Sequence, residues 1–69
     1  MDTPEDYFGK EHIEYATQEI IKQYGLDYND ARSFAINALE GLDSHGGSAK
    51  DHQAVKEVIK TVVSSWIKK

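Results

Sequence analysis

Apolar pairs recur every four residues near the C-terminus: Ala54-Val55, Val58-Ile59, Val62-Val63 and Trp66-Ile67. At about 100° per residue, each pair carries the stripe roughly 40° further round a helix. From Ala54 to Ile67 the apolar surface therefore winds through roughly 220°. One neighbouring helix cannot cover a face that wide. The pattern predicts a long central helix over about residues 49–68, packed by two others, or by two others and a partner.

Two further helices precede it. Thr3 is placed to cap the first, Pro4 suits its first position, and Glu5 and Asp6 complement its dipole. Its inward face reads Ile13, Ala16, Ile20 and Tyr24, and Gly25 is positioned to end it, giving a helix over about 4–24. Gly9 weakens its first turns and marks a potential break. Asp27 is then the expected N-cap of a second helix, about 28–40, with Asp30 at N3 and an apolar face of Ala31, Phe34, Ala35, Ala38 and Leu39. Gly41 to Ser48 reads as the one real loop. Ser48 and Asp51 have the spacing of a capping box opening the third helix. The expected fold is all-α: one small three-helix domain with a long central C-terminal helix.

At 69 residues there is room for one domain, burying only about 60 % of its unfolded surface. With no cysteine there is no disulfide staple. The acidic start, Met1-Asp2-Thr3-Pro4-Glu5-Asp6, is unlike a signal peptide, and no stretch approaches the ~20 apolar residues of a membrane span. Cytoplasmic location is the expectation. The net charge of −4 is unevenly spread. Residues 1–48 carry ten acids against Lys10, Lys22 and Arg32, whereas residues 49–69 carry five lysines against Asp51 and Glu57. An acidic body is a poor footprint for nucleic acid, and basic partner surfaces suit it better.

Ile20, Tyr24, Gly25, Leu26, Ala31 and Phe34 have the spacing of two helices joined across a glycine turn. This segment resembles the DNA-binding helix-turn-helix, although Ile21 stands where that family has a small residue. The resemblance implies a recognition helix in which Asn29, Arg32 and Ser33 read DNA. Tyr24-Gly25-Leu26 with Ala31 also resembles the ubiquitin-associated type of three-helix domain, which implies compact packing and a partner contacted by the loop and last helix. The longer second and third helices here depart from that pattern.

Phe8, His12 and Tyr15 form a second stripe on the first helix, about 140–160° from the Ile13/Ile20 face if the helix is continuous. Ile36 likewise lies off its helix's apolar face. Such a group, rimmed by Glu11, Glu19 and Lys22, has the composition of a partner surface. A break at Gly9 would instead fold Phe8 onto the core. At the other end, Trp66 reads either as core or, with Val63 and Ile67, as an interface anchor that can pair with a second copy or another protein. His12, His45 and His52 lack ligand spacing on any one rigid element, so no metal site is expected. No nucleophile–base set or phosphate-cradling loop is legible, and no cofactor or enzymatic activity is expected. The functional expectation is a non-enzymatic protein–protein interaction or regulatory module, binding another protein or itself through the third helix. DNA binding is the alternative.

Overall fold

In the computed structural model, residues 3–67 are described, with side chains as far as Trp66. The described residues form helices only: α1 (Pro4–Phe8), α2 (Lys10–Tyr24), α3 (Tyr28–Ser44) and α4 (His52–Ile67). The all-α expectation holds, but there are four helices where three were expected, because the first breaks at Gly9.

The break has a local cause. Thr3 Oγ1 accepts from the Asp6 amide at 3.2 Å and Pro4 opens α1, as the cap pattern requires. Gly9 then adopts φ +93°, a conformation that a side chain resists. The His12 ring edge would also lie 3.1 Å from any Cβ placed there. The turn folds Phe8 back against the core, half-buried. Beyond α2, Gly25 is left-handed and donates its N–H to the Ile21 carbonyl, the expected C-cap.

The second helix runs four residues further than its glycine suggested. Gly41 lies inside α3 and the helix continues to Ser44. An interior glycine costs about 1 kcal/mol, but extension lets Leu42 pack on the core, and burying such a side chain contributes about 1.5–3 kcal/mol when complete. The chain then turns sharply, with the Gly47 amide bonded to the Leu42 carbonyl at 2.9 Å. A Cβ on Gly47 would fall 2.3 Å from Leu42 Cδ1, so any larger residue there would have to displace the Leu42 side chain. The expected capping box also dissolves. Asp51 itself caps α4, its Oδ1 accepting from the Ala54 amide at 3.3 Å, while Ser48 Oγ accepts from Lys50 in the preceding turn. The last helix thus starts at His52, three residues later than expected.

The core is built around α3, not α4. Ala31, Ala35 and Ala38 are completely buried and Leu39 nearly so. Alanines at this spacing let helix axes approach closely, and α3 packs broadly against both α2 and α4, whereas α2 and α4 meet more thinly. α2 contributes Ile13, Ala16, Ile20 and Thr17, whose buried hydroxyl donates to the Ile13 carbonyl at 2.8 Å. From α4, among the described side chains, Val55, Ile59 and Val63 are fully buried. Val58 and Val62 are half-covered and Trp66 is exposed, so the winding stripe is buried along one edge and leaves the core at its end. α4 is therefore neither the centre nor, at 16 residues against 17 for α3, the longest described helix.

A domain of this size has a total stability of roughly 3–10 kcal/mol. Ile59→Ala removes a fully buried side chain and is expected to cost about 2–5 kcal/mol, a large share of that total. Urea titration followed by circular dichroism checks this. A midpoint matching the unaltered chain would mean that α4 is not seated as described.

Candidate interaction surface

The first sequence-derived stripe does not form a free face. Phe8 and Tyr15 are half-buried against the core, as is Ile36 on α3. Phe8 also meets the Tyr7 ring edge-on, with centroids 4.8 Å apart. Tyr15 stacks on His52 of α4, rings nearly parallel and centroids 3.8 Å apart. His12 Nδ1 lies 3.3 Å from His52 Nε2. The stripe thus faces the start of α4, a residue 40 positions away in sequence that helical periodicity could not supply. Burial of Phe8 follows the Gly9 break.

The second group divides. Val63 is fully buried and serves the core. The Ile67 side chain lies outside the described residues. Trp66 is 60 % exposed and meets Phe34 of α3 edge-to-face, centroids 5.5 Å apart. Phe34 is itself half-buried, so one ring is anchored and the other stands proud of it. Sequence reading paired Trp66 with Val63 and Ile67 and missed Phe34, because a ring contact between antiparallel helices leaves no periodic signal.

Along α3, Asp27, Asp30 and Phe34 follow at three- and four-residue spacing and share a face. Asp27 sits at the N-cap, yet its side chain makes no capping bond. It pairs instead with Asp30, whose pKa is raised by a hydrogen bond to Asp27 and by the repulsion of the two carboxylates. The aromatic pair thus has an acidic neighbour on its own helix.

The residues assigned to DNA reading are differently occupied. Asn29 and Ser33 are exposed. Arg32 is ion-paired with Glu5 of α1, and Tyr28 donates to Glu14 Oε1 at 2.8 Å. Hydrogen bonds from Gln18 and Tyr28 hold the Glu14 carboxyl below the ordinary glutamate range, and the Glu14 bond raises the Tyr28 phenol. The one arginine of this helix therefore lies among carboxylates.

Tyr7 donates to Asp43 Oδ2 at 2.9 Å, which raises its phenol, and α1 covers a cleft of about 440 Å³ lined by Pro4, Phe8 and Glu40 among others. A second cleft, about 380 Å³, lies between Leu42 and His45 on one side and Ala54, Val58 and Thr61 of α4 on the other. Among the described residues no three histidine, aspartate or glutamate side chains converge as a metal set, and no helix is long and apolar enough to cross a membrane. No protein-family model, curated protein or solved structure matches this chain.

An acid whose folded pKa is raised favours folding most in acid. That contribution is complete below the ordinary aspartate value and disappears as the pH rises through the raised one. Carboxyl NMR titration should place Asp30 above the ordinary aspartate range, and Asp27→Asn should bring it back. An ordinary value in the unaltered chain would refute the pairing.

Proposed function

We propose that this chain is a small, non-enzymatic protein–protein interaction module of the cytoplasm, and that its docking anchor is the Trp66–Phe34 pair. The carrying observation is the exposure of Trp66 while its ring is steadied by Phe34. A tryptophan buries about 150–250 Å² when covered. Holding it in place beforehand lowers the ordering cost of binding. Exposed aromatics of this kind dominate binding energy at interfaces. Asp27 and Asp30 on the same α3 face favour a partner that brings basic residues beside an apolar contact. Phe8, Tyr15 and Ile36 are held too closely by the core to lead such a contact, and His12 faces His52.

The helix-turn-helix alternative is weakened by Arg32's ion pair with Glu5 and by two aspartates at the start of the helix that would meet phosphates. A second copy of the chain, meeting through α4, is a partner of the proposed kind.

The test compares the unaltered chain with Trp66→Ala in a tagged pull-down from native lysate, with and without nuclease, alongside light scattering. A stoichiometric protein, or self-association, that survives nuclease and falls at least about tenfold in the variant is expected. Circular dichroism should show the fold retained. Recovery of nucleic acid alone, or a partner indifferent to Trp66→Ala, would overturn the reading.

A further inference from the structure

Two of the three histidines meet. His12 stands in the first turn of α2 and His52 is the first residue of α4, and their Nδ1 and Nε2 atoms approach to 3.3 Å. That separation fits a hydrogen bond from one ring to the other. It is also the spacing of two ligands on one tetrahedral ion: bonds of about 2.0–2.1 Å at the tetrahedral angle put the nitrogens about 3.3 Å apart. The surroundings suit a neutral, ligating pair. Among the described residues neither ring is ion-paired with a carboxylate, so no anion competes for the two nitrogens. Both rings are oriented from behind: Tyr15 stacks on His52, and Gly9, lacking a Cβ, leaves room for the His12 edge.

We propose that His12 and His52 form a two-ligand site for a borderline-soft divalent ion, zinc first and nickel or copper by the same chemistry, with waters filling the remaining positions. Exposure of His52 leaves those positions open to solvent. The ion links the starts of α2 and α4, the two long helices that touch least. Binding to the folded chain alone therefore raises its stability in proportion to the ion's concentration. This site is independent of the Trp66 surface.

The experiment titrates zinc chloride into the chelator-treated chain by calorimetry and records melting temperature with and without zinc. Saturable binding at no more than one ion per chain is expected, together with a rise in melting temperature reversed by chelator. His12→Gln and His52→Gln should each weaken binding at least about tenfold and abolish the rise, with the unliganded fold unchanged by circular dichroism. His45→Gln, which alters a ring bonded to the Gly41 carbonyl, should leave both intact. Affinity should fall on acidification, because a histidine ligand binds the ion only as the neutral imidazole. No saturable binding, binding indifferent to both His12→Gln and His52→Gln, or equal loss in His45→Gln would each overturn the assignment.

Discussion

The fold depends on how closely helices can approach α3. Ala31, Ala35 and Ala38 form a line of minimal side chains, all without solvent exposure, along its inward side. Larger residues there would push α2 and α4 outward and open voids that a 69-residue chain lacks the apolar mass to fill. Because the seam is small, Ile13 and Ile20 reach it from α2, and Val55, Ile59 and Val63 from α4. The same closeness fixes what remains outside. A narrow seam engages only one edge of α4, so the winding apolar stripe must leave the core before it ends, and Trp66 is left on Phe34 at the rim.

α1 adds a different kind of order. Five residues cannot sustain a helix alone. This one is held by Phe8 against the core, by Glu5 on Arg32 and by Tyr7 on Asp43. Exposed polar contacts contribute about 0–1 kcal/mol each, so Phe8 sets the position and the others set the orientation. Arg32, the residue best suited to a polyanion, is thereby committed to the protein's own surface.

Local chemistry was legible in the sequence, and distant chemistry was not. Thr3, Pro4 and Gly25 mark helix ends because capping involves residues three or four apart. The inner faces of α2 and α3 were readable because burial imposes a period. Gly41 misled because the packing of Leu42 outweighs a glycine's local penalty. Ser48 misled because Asp51, nearer the helix, took the cap. The wide apolar stripe of α4 points to it as the hub, whereas the advantage of small residues on α3 shows only when three helices compete for one line of contact. The pairs His12–His52 and Phe34–Trp66 join positions that no periodicity connects, and each depends on where two helices come to lie.

The turn that fastens Gly47 to the Leu42 carbonyl also bears on how quickly the chain can assemble. It brings the end of α3 and the start of α4 together within a handful of residues, so an antiparallel pair is reached by closing a very short loop. The contacts of α2 with α3 are likewise between neighbours in sequence. The contacts that span a long stretch of chain are few: the thin meeting of α2 with α4 and the links from α1 to α3 through Glu5–Arg32 and Tyr7–Asp43. Low contact order of this kind belongs to helical domains that fold in microseconds to milliseconds. One glycine pressed against one leucine thus shortens the search for the native arrangement as well as shaping its result.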